Sequence, residues 1–210
     1  MHMTKIDLNE MSSMQYDVLS ELGNIGAGNA TTALSAMINK KIDIGVPRVR
    51  LMDFNEISSI IGSEEQVMAG ILIMLSGDIN GMMMFLLDRD VAKNLVDILM
   101  CSDGEMTEEF SEMEISAVME LGNIIAGAYL NSLSIMTNLN IDVSVPMLQI
   151  DMAGAILSVP AIEFGKIGDK VLIIETQFDD EKGQEKPING YYILVPELES
   201  YEKILGSLGF

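Results

Sequence analysis

Residues 17–28 read DVLSELGNIGAG, and residues 116–127 read SAVMELGNIIAG, at a constant offset of 99 positions. The correspondence runs on without a gap to Val46-Pro47 in the first half and Val145-Pro146 in the second. An internal repeat of this kind fixes the architecture, and two long copies are too few for a solenoid. The sequence therefore predicts a duplicated half-domain with a pseudo-twofold axis.

The hydrophobic pattern predicts the same order of elements in each half: a helix, a strand, a short helix, two strands and a final helix. We expect long helices near residues 11–39 and 107–138, each followed by a strand, near 42–51 and 141–150. Pro47 lies inside the first of these strands, which indicates an edge position or a bulge because proline donates no hydrogen bond to a sheet.

The expected fold class is α+β, with a mainly antiparallel sheet built from duplicated halves, about residues 9–101 and 107–208. The only evident joint between them, Ser102-Asp103-Gly104-Glu105, is short, and neither half shows a self-sufficient core. We therefore expect one fused domain over residues 1–210, a length that can bury a sizeable core.

Each repeated segment is predicted to form an amphipathic helix with one polar stripe. Because a helix turns about 100° per residue, positions i, i+4, i+7 and i+11 lie on one side. In the two copies these positions hold Asp17, Glu21, Asn24 and Gly28, and Ser116, Glu120, Asn123 and Gly127. The opposite side is rich in glycine and alanine. Since a glycine inside a helix costs about 1 kcal/mol relative to alanine, that side is expected to pack closely against another backbone.

The polar stripe admits two interpretations. It could be an ordinary solvated face, which needs no function. Asparagine, however, is a poor helix former that competes for backbone hydrogen bonds. The two copies agree at the glutamate and the asparagine but differ nearby, at Ser20 and Met119 and at Gly26 and Ile125. This agreement favours a functional surface.

The composition excludes several classes of site and partner. One histidine and one cysteine leave no Ser-His-Asp triad and no nitrogen–sulfur metal cluster. A net charge of −20 disfavours nucleic acids and anionic membranes as partners. No apolar run reaches the roughly 20 residues needed to span a bilayer, so membrane insertion is not expected. The single Cys101 fits a reducing cytoplasm.

The repeated residues resemble the motif of the CheC-type chemotaxis phosphatases, in the CheC/CheX/FliY family. That motif is Asp or Ser, three residues, Glu, two residues, Asn, 22 residues and Pro, and this chain satisfies it twice. The matching residues are Asp17, Glu21, Asn24 and Pro47, and Ser116, Glu120, Asn123 and Pro146. The run ELGNIGAGNA is also typical of the CheC type.

The resemblance implies a hydrolase that removes the phosphoryl group from an aspartate of a CheY-type response regulator. Asn24 and Asn123 would align the attacking water, as a glutamine does in GTPases. Glu21 and Glu120 would pair with a lysine of the regulator and dock it. The Mg²⁺ would arrive with the regulator, so this chain would need no cofactor and no metal site of its own.

The remaining motif residues would have supporting roles. By the same resemblance, Asp17 and Ser116 would support the glutamate or the docking surface. Pro47 and Pro146 would be structural.

The resemblance also implies a second partner, the receptor deamidase CheD, docked at the short helix that begins near Asp151. Asp151 could equally be a simple helix cap. An alternative function is therefore a non-catalytic adaptor that binds CheD or the response regulator in chemotaxis or flagellar switching.

Overall fold

The structure is a computed structural model that describes residues 11–61, 63–101, 109–164, 170–180 and 189–210. In chain order its elements are α1 (Ser13–Ile38), β1 (Ile42–Ile44), β2 (Arg48–Asp53), a 3₁₀ helix (Phe54–Ile60), β3 (Val67–Gly77), β4 (Gly81–Asp88), α2 (Arg89–Met100), α3 (Glu112–Thr137), β5 (Ile141–Val143), β6 (Met147–Met152), α4 (Ala153–Leu157), α5 (Val159–Phe164), β7 (Lys170–Asp180), β8 (Asn189–Pro196) and α6 (Leu198–Ser207). Within these ranges, every helix is too short or too polar to span a lipid bilayer.

The strands of the described residues form one antiparallel sheet in the order β1–β7–β8–β4–β3–β5, with β2 also on β7 and β6 also on β3. The halves exchange their edge strands: β1 and β2 of the first half pair with β7 of the second, and β5 and β6 of the second pair with β3 of the first. Neither half therefore forms its share of the sheet alone.

The strand registers repeat between the halves. Val49 of β2 lies opposite Ile174 of β7, and its counterpart Leu148 of β6 lies opposite Ile71 of β3. At the centre, β4 pairs with β8. Equivalent registers on both sides of this pair are what a pseudo-twofold axis between β4 and β8 requires. The predicted α+β class, with duplicated halves and a mainly antiparallel sheet, is confirmed.

The two long helices lie side by side over one face of the sheet, where they cover the larger hydrophobic core. A Cβ atom added at Gly23 of α1 would lie 2.5 Å from Ile174 Cγ2, and one added at Gly122 of α3 would lie 2.5 Å from Ile71 Cγ2. Each helix thus packs closely on the sheet, α1 on a strand of the second half and α3 on a strand of the first. The expected close approach at the small residues is confirmed, but the neighbouring atoms belong to side chains and not to another backbone.

The contact between α1 and α3 is close but asymmetric. A Cβ atom added at Gly26 would lie 2.6 Å from Cε1 of Tyr129, which is 1% exposed. The symmetry-related positions hold Ala30 and Ile125, both fully buried. A glycine and a tyrosine at one pair of positions thus correspond to an isoleucine and an alanine at the symmetry-related pair. The total side-chain volume is similar, so the core remains filled.

The structure corrects the two predicted strands that follow the long helices. Each is interrupted, at residues 45–47 and 144–146. Proline is the physical reason, since Pro47 and Pro146 have no N–H to continue the ladder. Both interrupted strands lie at sheet edges, as expected for a strand that contains proline.

Two further helix predictions need correction, and one helix is not predicted. Asp151 lies within β6, opposite Met68, and Met152 is the N-cap of α4, because pairing with β3 continues past the aspartate. Helix α3 begins at Glu112, with Ser111 as its cap, and the predicted start near residue 107 lies outside the described residues. Helix α5 is the one that the sequence pattern does not predict. The predicted joint at 102–105 lies outside the described residues.

Candidate functional site

Both site helices are fixed at their ends by equivalent devices. Ser12 caps α1 in a capping box with Gln15, and Ser111 caps α3 in a capping box with Glu114. At the other end, Asn39 and Asn138 adopt left-handed conformations, with φ of 51° and 53°, which asparagine tolerates better than most residues. These caps stabilise two helices of 26 residues each.

The start of α3 is also held by a cation from α2. The Lys93 amine donates hydrogen bonds to the Glu109 carbonyl and to Glu114 Oε1, the latter at 3.0 Å. It also lies 4.4 Å from the centre of the Phe110 ring. The hydrogen bond from the Ser111 backbone holds the pKa of Glu114 below its usual range, and burial partly opposes this shift.

The structure places the polar residues of both motifs at the surface and the prolines in the interior. The exposed residues are Asp17, Glu21 and Asn24 on α1, and Ser116, Glu120 and Asn123 on α3. The buried residues are Pro47 and Pro146. Within the described part of the chain, the side chains of Glu21, Asn24, Glu120 and Asn123 make no hydrogen bond or ion pair. They are available to a partner.

Residues 45–47 form a bulge between β1 and β2, where three residues lie opposite two residues of β7. A groove of about 300 Å³ lies between α1 and this β1–β2 bulge. Its lining residues are Asp17, Ser20, Glu21 and Asn24 from the helix, Ile44 from β1, and Gly45, Val46 and Pro47 from the bulge. The sequence does not predict Ile44, Gly45 or Val46 as part of the site, because their alternating pattern indicates only a strand. The one available signal is their position directly before the motif proline.

The β1–β2 bulge is held against both the sheet and the helix. The Gly45 amide donates to the Gln177 carbonyl at 2.8 Å, which fixes the bulge to β7. Pro47 packs behind the polar stripe, where a Cβ atom added at Gly23 would lie 3.3 Å from Pro47 Cβ. In the second half, Ser144 N donates to the Met74 carbonyl at 2.9 Å, which fixes the equivalent segment to β3. In the first half, Pro47 therefore helps to set the spacing between α1 and the edge strand.

The prolines of the two motifs lie at opposite edges of the sheet, whereas the glutamates and asparagines lie on α1 and α3, which pack side by side. Pro47 follows β1 beside β7, and Pro146 follows β5 beside β3, with β8 and β4 between those strands. Five strand spacings of about 4.8 Å place the two edges about 24 Å apart. Within the described ranges, no three histidine, cysteine, aspartate or glutamate side chains are grouped so that they could hold a metal ion.

Comparison with known proteins places both motifs within one family. The sequence profile of the CheC-like family matches residues 14–50 and 113–150, which contain both motifs. The CheY-P phosphatase CheC of Bacillus subtilis is 33% identical over 203 residues, which cover 96% of this chain and 97% of that protein.

Two solved structures have a similar fold. Thermotoga maritima FliY superposes with a TM-score of 0.70 at 25% identity, over 94% of this chain and 99% of that one. A CheX–CheY–BeF₃–Mg²⁺ complex from Borrelia burgdorferi matches with a TM-score of 0.56 at 19% identity, over 84% and 97% of the two chains.

Proposed function

The chain belongs to the CheC-like family, and from this membership we propose that it is a hydrolase that dephosphorylates the phosphoryl-aspartate of a CheY-type response regulator. The observation that carries the proposal is the exposed, unpartnered Glu–Asn pair on a capped helix, present twice in the described residues. The Bacillus subtilis relative named as a CheY-P phosphatase supports it.

In the proposed reaction the chain positions a water and the regulator supplies the rest of the site. The carboxamides of Asn24 and Asn123 can accept and donate hydrogen bonds, so each can orient one water in line with the phosphorus. Water oxygen bonds to phosphorus as the bond to the aspartate oxygen breaks, which releases inorganic phosphate and the free carboxylate. Positioning of this kind can lower a barrier by several kcal/mol.

The glutamates dock the regulator in this proposal. Glu21 and Glu120 lie three residues before the asparagines, on the same exposed side of each helix. A carboxylate there can pair with a phosphate-contacting lysine of the regulator and so fix the asparagine relative to the acyl phosphate. Asp17 lines the same groove, and Ser116 donates its hydroxyl to the Glu112 carbonyl at 2.9 Å, which fits supporting roles.

In this proposal the regulator supplies the Mg²⁺ for the reaction, and this chain holds no metal of its own. A cytoplasmic location likewise remains a prediction, drawn from the single cysteine.

We also propose that the edge formed by β6, α4 and α5 docks CheD. Asp151 is half-buried within β6, and its neighbours Ile150 and Met152 are exposed apolar residues, as is Ile162 of α5. An apolar edge strand in a chain of net charge −20 suits a protein partner. Asp151→Lys should weaken CheD binding by at least about tenfold in a pull-down titration. Wild-type affinity in this variant would remove Asp151 from the interface.

Turnover distinguishes a phosphatase from the alternative, an adaptor that only binds. The purified chain, at a concentration well below that of phosphorylated regulator, should accelerate phosphate release through many turnovers. The same assay with CheD added shows whether the second partner alters the rate. An adaptor would bind the regulator and leave its spontaneous rate of phosphate loss unchanged, and that result would overturn the proposed activity.

A further inference from the structure

The glycines of the two long helices fall into two groups with different surroundings. Those on the buried side are explained by the fold. At Gly23, Gly26 and Gly122 an added Cβ atom would lie within 2.6 Å of a core side chain, so no larger residue fits without a shift of the packing.

Gly28 and Gly127 have no such reason to be glycine. An added Cβ atom at Gly28 would have one neighbour, Ile44 Cδ1, at 3.9 Å, which is an ordinary contact distance. One at Gly127 would meet no heavy atom within 4 Å in the described structure outside its own helix backbone. Alanine would fit at both positions and would strengthen the helix. The fold alone therefore does not account for either glycine.

Both glycines lie beside the site residues. Each follows the motif asparagine by four positions, which places it one turn along and about 40° around the helix from Asn24 or Asn123. Gly28 is half-buried and Gly127 is exposed. The two positions correspond in the repeat, so a glycine that the packing does not require occurs beside each site.

We propose that Gly28 and Gly127 are contact points for the response regulator, which brings its backbone against the bare helix surface there. This inference rests on the proposed function and extends the docking surface by one helical turn beyond the asparagines. Helix periodicity places Glu21, Asn24 and Gly28 on one side of α1, and Glu120, Asn123 and Gly127 on the corresponding side of α3. A methyl group at either glycine would hold the partner backbone away from the helix and so weaken binding of the regulator.

The test changes each glycine to alanine in a variant whose other site has been inactivated. Only the site beside the changed glycine can then act. Gly127→Ala is combined with Asn24→Ala, and Gly28→Ala is combined with Asn123→Ala. Relative to its background, each added change should raise KM for phosphorylated regulator about tenfold, the size of an overpacking effect at an interface. The kcat at saturation should change less than KM. The affinity for the regulator carrying BeF₃⁻ and Mg²⁺ should fall by the same factor as 1/KM.

Thermal unfolding distinguishes a docking role of the glycines from a structural role. Each substitution should raise Tm by about 2 °C, because helix propensity improves and nothing is displaced. Gly206→Ala is the matched control. Gly206 is an exposed glycine within α6, with open space around an added Cβ atom. This variant should not lower Tm and should leave KM unchanged.

The outcomes separate this inference from the proposed function. If the wild-type chain does not release phosphate from the regulator, the proposed function fails. If the wild type is active and the alanine variants keep the KM and affinity of their backgrounds, the function stands and the docking role of the glycines is wrong. A fall in Tm would show an intramolecular role and would also overturn the inference.

Discussion

At the scale of single residues, the site combines buried anchors with exposed polar groups. Pro47 is buried behind α1, whereas Glu21 and Asn24 face solvent. The spacing of a helix is enough to predict that the motif residues share one side. Val46 is not predicted in the site, although it lines the groove. In the sequence it is one residue of an alternating strand, and the interruption beside it depends on the proline's missing hydrogen bond.

A charge reversal tests the docking role of the glutamates. Glu21→Lys and Glu120→Lys place a cation opposite the regulator's lysine, so each should weaken binding at its own site by at least about tenfold. Glu21→Gln serves as the milder control, because it removes the charge and keeps the shape. Titration calorimetry with BeF₃⁻-bound regulator measures the affinities. Unchanged affinity at the reversed site would show that the glutamate does not dock the partner.

At the scale of elements, the two edges of the sheet differ although their backbones correspond. In β7, Glu175 is 4% exposed and lies 3.2 Å from Arg50 Nη2 of β2. In the other half the corresponding residues are Leu72 and Gln149. Burial raises the pKa of Glu175, while Arg50 and Arg48 partly offset the shift. One edge of the sheet thus contains an ion pair between a buried glutamate and a partly exposed arginine. The other edge has a leucine and a glutamine at the corresponding positions.

Removal of one member of the ion pair should be costly. Arg50→Gln leaves a buried carboxylate without its partner, and we expect a loss of about 2 kcal/mol at neutral pH, less than for a fully buried pair because Arg50 is partly exposed. The folded-state pKa of Glu175 lies above its unfolded value, so protonation favours the folded state. The loss should therefore shrink as pH falls from neutral toward the raised pKa of Glu175.

The double variant Arg50→Gln/Glu175→Leu is the control, because it copies the residues of the other edge. It should recover most of the stability that the single variant loses in urea unfolding. If the single and double variants are equally destabilised, the ion pair does not explain the edge.

The elements also show what the sequence can and cannot specify. The capping box of Ser111 with Glu114 has the sequence signature of a helix start, three residues apart, although the long helix is expected from near residue 107. The exchange of edge strands has no such signature, since the alternation in residues 42–51 indicates a strand without identifying its partner. Asp151 illustrates the same limit. It has the residue type of a helix cap, but the long-range pairing of β6 with β3 extends the strand past it.

At the scale of the whole molecule, duplication places two equivalent motifs on separate helices, each with its proline at an edge of the sheet. The internal repeat is sufficient to predict two equivalent halves, because the matching residues recur at a constant offset. The two copies differ where their helices pack across the axis: Gly26 corresponds to Ile125, and Ala30 corresponds to Tyr129. These differences cannot be predicted from the sequence without knowing which residues are in contact across the axis.

Two separated sites should bind two regulators independently. We expect a stoichiometry of two BeF₃⁻-bound regulators per chain, measured by light scattering of the purified complex. Because each site has its own exposed glutamate and asparagine on a separate helix, the activities of the Asn24→Ala and Asn123→Ala single variants should sum to about the wild-type activity. A stoichiometry of one, or a single variant that abolishes all activity, would show that the sites are not independent.

The most direct test of the central claim is the rate of phosphate release from phosphorylated regulator by the double variant Asn24→Ala/Asn123→Ala. Its catalysed rate should fall at least about 100-fold, as when a preorganised hydrogen-bonding group is lost from an active site. Its stability should stay within about 0.5 kcal/mol of the wild type because both positions are exposed. Asn29→Ala is the control on the same helix, about 140° around from Asn24, and should keep full activity. Wild-type turnover by the double variant would contradict the proposed role of the asparagines.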